Sequence, residues 1–173
     1  MKEIQIAVDN ARKSDVAVVV LGGNNRTCGE NKSRTSLELP GHQLRLLQEV
    51  VKSGKPVVLV LVNGRPLSVN WADKHVPAIV EAWYPGSQGG KALADILFGD
   101  YNPGGKLTVT FPRTVGQIPF NFPHKPSSQV DGGNRAYRKH EPGEWCTLSV
   151  WIWLELHYFQ VFRFNILFGK DNA

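Results

Sequence analysis

The chain has 173 residues, of which 42% are hydrophobic and 20% are charged, a composition typical of a soluble globular domain and unlike that of a disordered chain. The formal net charge is +5, but the basic residues stand singly rather than in a stripe, so nucleic-acid binding is not expected. The two cysteines and five histidines match no metal-binding spacing, and no metal or other cofactor is predicted.

Apolar residues in the first part of the chain recur with helical and strand periods. Helical spacing over residues 4–11 predicts an opening helix. Residues 16–21 form a β-branched run without polar alternation, which predicts a strand buried on both faces of a parallel sheet. A second amphipathic helix is predicted over 44–51, and a second buried strand over 57–62.

The same alternation of helices and strands continues toward the middle of the chain. A short helix or turn is predicted around Trp71, a third strand over 78–83 and a helix over 90–98. Residues 107–111 alternate in polarity and end before Pro112, which predicts a strand at the edge of the sheet. The predicted fold is therefore α/β, a three-layer α/β sandwich with a mostly parallel sheet and an edge strand.

A polar loop after the first strand carries the main candidate for chemistry. Glu30 and Arg34 lie in this loop, between Gly22 and Pro40. Ligands of parallel α/β sheets bind in the crevice at the carboxyl ends of the strands, so a carboxylate placed here can act on a ligand. The plainer interpretation is a solvated glutamate paired with Lys32 or Arg34.

Five blocks of sequence, in the same order and with the same gaps, resemble the C-terminal domain of glycoside hydrolase family 3. The resemblance runs from the first helix to Phe120 and is closest to bacterial β-glucosidases. The blocks are the Glu30 loop, residues 55–66, residues 81–86, Gly89 with Gly90, and residues 97–107.

The resemblance implies a retaining mechanism with two carboxylates. The nucleophile is expected on a preceding (β/α)8 barrel domain, which this chain lacks, and Glu30 occupies the position of the acid/base. The chain is thus expected to be a fragment of an enzyme that hydrolyses terminal β-D-glucosyl residues of β-glucosides or oligosaccharides, inactive without its barrel. The full-length enzyme is expected to be periplasmic or secreted.

Three further residues are predicted to help bind the sugar. Arg34 can support the loop or hold a carboxylate. Trp83 and Tyr84 follow the third strand, where aromatic faces suit the C–H surfaces of a pyranose, although packing in the core is an equal alternative.

Other charged residues near the site have structural interpretations. Glu38 is the second candidate for the acid/base, but its place just before Pro40 suggests a charge at the start of a helix. Glu81 follows three apolar residues of a buried strand and is predicted to form a structural ion pair. Arg65 can pair with a carboxylate or with a sugar hydroxyl.

The C-terminal part departs from the family. Read one nucleotide later, codons for residues 150–159 can encode Phe-Gly-Tyr-Gly-Leu-Ser-Tyr-Thr-Thr-Phe, which resembles the family's closing strand. We therefore predict a family domain over 1–137 and a frame-shifted, non-native tail over 138–173. The apolar stretch of this tail is interrupted by charges and is too short for a membrane span.

Three alternatives to a β-glucosidase remain open at this point. A β-xylosidase of the same family differs in its sugar, which the barrel largely selects. A non-catalytic binding module shares the fold, although residues 22–25 match neither the dinucleotide-binding fingerprint nor the P-loop. An inactive truncated product is the third.

Overall fold

A computed structural model describes residues 2–117 and two short strands farther along the chain. The predicted helices and parallel strands are present in the predicted order. The elements are α1 (Lys2–Arg12), β1 (Ala17–Gly22), α2 (Gln43–Val51), β2 (Val57–Val62), α3 (Asn70–His75), β3 (Ala78–Glu81), α4 (Gly89–Leu97), β4 (Phe111–Pro112), a 3-10 turn (Val115–Gln117), β5 (Cys146–Leu148) and β6 (Gln160–Val161).

The main sheet has the strand order β1-β2-β3-β6. The first three strands are parallel, with Ala17 opposite Val57 and Val60 opposite Val80. The short strand β6 is antiparallel to β3 and forms one edge. The α/β fold with a mostly parallel sheet is therefore confirmed.

The central strand β2 explains why the domain has three layers. Its first five residues are all buried, and their side chains alternate between the two faces of the sheet. Leu59 and Leu61 pack in a core that includes residues of α1 and α2. Val58 and Val60 face the opposite side, where Leu93 and Leu97 of α4 cover them. Helices on both faces make the unbroken apolar run of β2 favourable.

The prediction that the first strand is buried on both faces is wrong. Burial alternates along β1, and Val16, Val18 and Val20 are 47%, 47% and 57% exposed. The reason is position: β1 is the outermost strand of the sheet, and α4 packs against β2 and β3 but not against β1. The other face of β1 packs against the core shared with α1 and α2.

The predicted edge strand over 107–111 is also wrong in its placement. The chain has no strand over 107–110, and β4 pairs with β5 in a separate two-stranded sheet. Phe111 is fully buried, and the carbonyl of Pro112 accepts a hydrogen bond from Ser68 at 2.9 Å. The alternating pattern therefore marks a connector that inserts one aromatic ring into the core.

The predicted tail over 138–173 lies mostly outside the described residues, and its boundary and origin stay predictions. Within the described part of the chain, no helix has both the length and the apolar character needed to cross a membrane.

A matched pair of valine truncations tests the unequal covering of the sheet. We expect Val60→Ala, at a fully buried site, to lower the free energy of unfolding by about 2 kcal/mol, because it removes buried methyl groups and leaves a cavity. Val20→Ala, at an exposed site, should change it by less than about 0.5 kcal/mol. Urea unfolding of the full chain measures both, and equal losses would contradict the assignment of β1 to an open face.

Candidate functional site

The carboxyl ends of the three parallel strands meet at one edge of the sheet, as parallel topology requires. We call the loops that follow β1, β2 and β3 the crest, comprising residues 23–30, 63–65 and 82–84. Backbone hydrogen bonds join these loops. Gly23 donates its N–H to the Val62 carbonyl at 3.1 Å, and Asn63 donates its N–H to the Trp83 carbonyl at 3.2 Å.

A buried carboxyl ties the ends of β2 and β3 together. The side-chain amide of Asn63 donates to both carboxyl oxygens of Glu81, at 3.1 and 3.2 Å. The backbone N–H of Trp83 donates to Glu81 Oε1 at 3.0 Å. Asn63 Oδ1 in turn accepts the backbone N–H of Arg65 at 3.2 Å. The predicted ion pair of Glu81 is therefore wrong, since amide groups and not a cation hold this carboxyl.

The environment of Glu81 favours its protonated form. Burial raises the pKa of Glu81 to about 8, against the opposing effect of the hydrogen bonds from Trp83 and Asn63. The residue is fully buried, so its carboxyl cannot reach a sugar. Its role is to hold the crest and not to exchange a proton with a substrate.

Trp83 turns the chain out of β3 in an unusual conformation. Its φ is +49°, in the left-handed region that a residue with a Cβ atom enters at a cost. Its hydrogen bonds to Asn63 and Glu81 hold this conformation. The indole packs on Phe111, with ring centroids 6.0 Å apart, so Trp83 belongs partly to the core. Tyr84, by contrast, is 53% exposed.

Three side chains of the crest form a group that we call the thiol cluster: Cys28, Arg65 and Tyr84. The Cys28 thiol lies beside the Tyr84 ring at Gly64 and interacts electrostatically with Tyr84 and Arg65. Gly64 lies between them, and a Cβ atom there would stand 2.5 Å from the sulfur and 2.7 Å from Tyr84 Cε2. A glycine at position 64 is thus what allows the thiol and the phenol to approach.

The loop from β1 to α2, which carries Glu30, is held at its middle and at its two ends. Arg65 donates to the carbonyl of Lys32 at 2.9 Å. The side-chain amide of Gln43 forms two hydrogen bonds with the backbone of Gly22, at 2.8 and 2.9 Å. Glu30 itself is exposed, and its side chain forms no hydrogen bond or ion pair with any described residue.

The remaining predicted residues lie in the same loop or next to it. Arg34 donates to the backbone carbonyl of Glu38 at 3.2 Å, so it stabilises the loop and does not contact Glu30. Partial burial raises the pKa of Glu38. Arg65 binds a backbone carbonyl and not the carboxylate considered from the sequence. No group of side chains in residues 2–117 is suited to hold a metal ion.

Sequence reasoning missed Cys28 and Asn63 as members of this site. Asn63 directly follows the strand predicted over 57–62, and Cys28 lies in the loop after the strand predicted over 16–21. The rule that parallel strands share a carboxyl edge would have placed both residues at the crest. Their hydrogen-bond partners depend on the register between strands, which the sequence pattern does not give.

A surface cleft of about 330 Å³ lies between α1 and α2, away from the crest. Its lining consists of polar and apolar side chains of the two helices and of Lys52 directly after α2, and it includes no residue of the crest. We attribute it to the packing of two helices and not to substrate binding. The lining residues are Ile4, Gln5, Val8, Arg12, Arg45, Glu49 and Lys52.

Comparison with protein families and curated proteins gives one consistent result. The family model for the glycosyl hydrolase family 3 C-terminal domain matches residues 1–144. A β-xylosidase of Formosa agariphila is 46% identical over 132 residues, which are 76% of this chain and 18% of that protein. A periplasmic β-glucosidase of Salmonella typhimurium is 48% identical over 121 residues, 70% of this chain and 16% of that protein.

Solved structures agree with these relatives. A β-glucosidase of Erythrobacter marinus superposes with a TM-score of 0.68 at 45% identity, over 75% of this chain and 18% of that one. A β-glucosidase of Listeria innocua in complex with isofagomine gives a TM-score of 0.68 at 38% identity, over 78% and 19%. The chain therefore spans less than a fifth of each of these four relatives.

The raised pKa of Glu81 predicts a characteristic pH dependence of stability. Below pH 4.5 both folded and unfolded chains carry the proton, but between pH 4.5 and about 8 only the folded chain retains it. The free energy of unfolding should therefore fall as pH rises through this window, by at most about 1.4 kcal/mol per pH unit, and level off above it. Urea unfolding of the full chain at pH 5, 6, 7 and 8 measures this slope.

Glu81→Gln should remove that slope, because glutamine is neutral throughout. Glu49→Gln is the matched control, since Glu49 pairs with Lys52 on the surface and its loss should leave the slope above pH 5 in place. Identical slopes in the wild type and Glu81→Gln would show that Glu81 is ionised in the folded chain.

A pair of glycine substitutions tests the close approach at the crest. Gly64→Ala should lower the free energy of unfolding by about 1–3 kcal/mol, because the new Cβ meets Cys28 and Tyr84. Gly90→Ala lies in α4 with open space around it and should stabilise the chain by about 0.5–1 kcal/mol. Thermal unfolding by circular dichroism compares the two, and a neutral Gly64→Ala would mean that the cluster is looser than described.

Proposed function

Because this chain belongs to glycoside hydrolase family 3, whose C-terminal domain it carries, we propose that it supplies Glu30 as the acid/base of a retaining β-glucosidase. The intact enzyme acts on terminal β-D-glucosyl residues of β-glucosides or oligosaccharides. Its nucleophile, an aspartate, belongs to a (β/α)8 barrel domain N-terminal to this one.

The observation that carries the proposal is the placement of the Glu30 loop. The loop leaves the carboxyl end of β1, and the Arg65 bond to Lys32 ties it to the end of β2. Glu30 thus lies at the ligand-binding edge of a parallel sheet. Its carboxyl is exposed and has no partner among residues 2–117, so it is available to a group presented from outside the domain.

The chemistry assigned to Glu30 needs a second carboxylate. In a retaining hydrolase the nucleophile attacks the anomeric carbon while the acid protonates the departing oxygen, with the two carboxyl groups about 5–5.5 Å apart. The same residue then removes a proton from the water that hydrolyses the glycosyl-enzyme. A proton donor must also keep its proton at the working pH, which a neighbouring carboxylate and exclusion of water achieve together.

The isolated chain leaves Glu30 in water, and docking of the barrel would provide both conditions. We therefore expect the chain alone to hydrolyse no glycoside at a measurable rate. Glu38 is the competing acid: the residue is exposed overall, but desolvation of its carboxyl raises its pKa in the direction that a proton donor requires. It lies eight positions farther along the loop, just before Pro40, and serves as the matched control below.

Sugar binding is assigned to Tyr84, with Trp83 and Arg34 in supporting positions. The Tyr84 ring is half exposed at the crest and offers a face to a pyranose. Trp83 packs on Phe111 and sets the direction in which Tyr84 leaves β3. Arg34 holds the loop through the Glu38 carbonyl.

A β-xylosidase is the second candidate, favoured by the 46% identity to the Formosa protein. The two sugars differ by the hydroxymethyl group at C5, and we assign the choice between them to the barrel. The Salmonella relative is named periplasmic, and we extend that location to the intact enzyme. The tail over 138–173 stays assigned to a frame shift, which a single-base insertion or deletion in the gene would document.

A chimera tests the role of Glu30. The segment of the Salmonella β-glucosidase that this chain matches is replaced by that of this chain, and hydrolysis of cellobiose and of a nitrophenyl β-glucoside is measured. Glu30→Gln should lower kcat/KM for cellobiose by about 10²–10⁴-fold, because an unactivated leaving group needs the proton. The loss for the nitrophenyl substrate should be smaller, since nitrophenolate leaves without protonation.

Azide separates an acid/base from a structural residue. The anion attacks the glycosyl-enzyme without needing a base, so azide should restore turnover of the nitrophenyl substrate in Glu30→Gln and yield a glucosyl azide. Glu38→Gln should keep activity within about threefold, as expected of an exposed loop position. Loss and azide rescue in Glu38→Gln, with Glu30→Gln active, would move the role to Glu38. A nitrophenyl β-xyloside tests the second sugar in parallel.

A further inference from the structure

The thiol cluster has a chemical character that glycoside hydrolysis does not use. Cys28 carries a free thiol that is half-buried at the crest. A guanidinium and a phenol, from the ends of two other strands, contact it. Reactive cysteines occur in partly exposed, electropositive surroundings of this kind, whereas inert cysteines are buried among apolar groups.

The arginine of the cluster is held in place and has an unused donor. Arg65 donates to the Lys32 carbonyl at 2.9 Å, which fixes the guanidinium beside Cys28. Its Nε atom is buried and has no hydrogen-bond partner, the one such side-chain nitrogen or oxygen found in the described part of the chain. A buried donor without an acceptor is costly. An acceptor atom bound next to it would therefore be stabilised.

These contacts influence the protonation of two groups, the Cys28 thiol and the Tyr84 phenol. Partial burial alone raises the pKa of the Cys28 thiol, but hydrogen bonds from Tyr84, Arg65 and the Gly64 backbone, with the charge of Arg65, bring this pKa below its ordinary value. The pKa of Tyr84 is raised by burial and by its bond to Cys28. The phenol thus keeps its proton and donates it to the sulfur, which favours the thiolate.

We propose that Cys28 is an oxidation site, at which a thiolate held by Arg65 and Tyr84 reacts with small hydroperoxides to form a sulfenate. The proposal does not depend on the assignment of Glu30, because it concerns the chemistry of the sulfur alone. The site takes hydrogen peroxide or a small organic hydroperoxide, since Tyr84 is half exposed and Cys28 is only half-buried.

The reaction balances without a further reagent. The thiolate sulfur attacks the terminal oxygen of the hydroperoxide, an S–O bond forms and the O–O bond breaks. The sulfur loses two electrons, and the peroxide is reduced to water or to an alcohol, which keeps the peroxide proton. The product is a sulfenate anion, whose oxygen is an acceptor for the Arg65 guanidinium. A thiol reductant reverses this first step of the oxidation ladder.

Oxidation at this position would act on the Glu30 loop. Arg65 connects Cys28 with the Lys32 carbonyl, and the space around the sulfur is tight, as the clash expected at Gly64 shows. An oxygen added to the sulfur must draw Arg65 toward itself or displace Tyr84. A shift of Arg65 would loosen its hydrogen bond to the Lys32 carbonyl, which ties the loop to the end of β2.

Thiol reactivity of the full chain tests the proposal. Cys146→Ser provides a background with Cys28 as the sole thiol. Alkylation by iodoacetamide at pH 7, followed by intact mass, should be about 10-fold faster in the folded chain than in 8 M urea, where the same thiol is unperturbed. Brief treatment with hydrogen peroxide and dimedone should give a single adduct on the peptide that contains Cys28.

Three variants test whether Arg65 and Tyr84 are responsible for the reactivity of Cys28. Arg65→Gln should bring the alkylation rate close to the rate in urea, and Arg65→Lys should retain part of the acceleration, because lysine keeps the charge. Tyr84→Phe should slow alkylation and preserve the fold, as circular dichroism will show, so the test stands even if Arg65→Gln unfolds. A folded chain that reacts no faster than the urea-treated one, or reacts equally in Tyr84→Phe and the parent, would overturn the proposal.

Discussion

The buried hydrogen bonds between Glu81 and Asn63 are the constraint on which the crest depends. They join the carboxyl ends of two adjacent strands inside the core, where an unpaired polar group would be strongly destabilising. The same carboxyl binds the N–H of Trp83 and so fixes a left-handed backbone that the residue would otherwise avoid. Fold stability and the direction of the crest loops therefore rest on one buried carboxyl group.

From that base, the topology brings residues distant in sequence into one place. Cys28, Arg65 and Tyr84 follow three different strands, yet they form a single cluster because parallel strands end at the same edge. The Glu30 loop shares this edge through the bond between Arg65 and Lys32. One guanidinium thus serves a loop with an exposed carboxylate and a thiol with a very different reactivity. Cys28 lies two residues before Glu30 in this loop, so a change at the sulfur acts on the loop through the backbone as well as through Arg65.

The sequence predicted most of the fold, because burial on β2 leaves an unmistakable pattern. It failed on β1 because a β-branched run does not reveal whether a helix covers both of its faces. It failed at 107–111 because alternation in polarity also describes a connector that buries one aromatic ring, Phe111. It predicted a buried charge at Glu81 but not the partner, because Asn63 is brought opposite by strand register alone.

At the candidate site, the sequence predicted where the Glu30 loop lies but not what surrounds its side chains. The Glu30 loop could be placed at the ligand edge from its location after a strand. The exposure of Glu30 and the packing of Trp83 on Phe111 depend on side-chain directions that no periodicity encodes. The thiol cluster was missed for a related reason, since each member is unremarkable within its own segment. Only the assembled crest gives Cys28 its charged neighbours.

The outer hydrogen-bonding edge of β1 has a consequence for how the domain behaves in solution. Ala17 and Gly23 direct their N–H groups toward β2, so the intervening even-numbered residues, Val18 and Val20, point their backbone groups outward. Gln43 occupies this outer edge at Gly22. The five residues before Gly22, residues 17–21, are apolar and uncharged, and on this outer edge no described strand pairs with them. Such an edge can pair with a strand of another molecule. At high protein concentration, self-association of the domain will therefore depend on whether another strand pairs with this outer edge of β1.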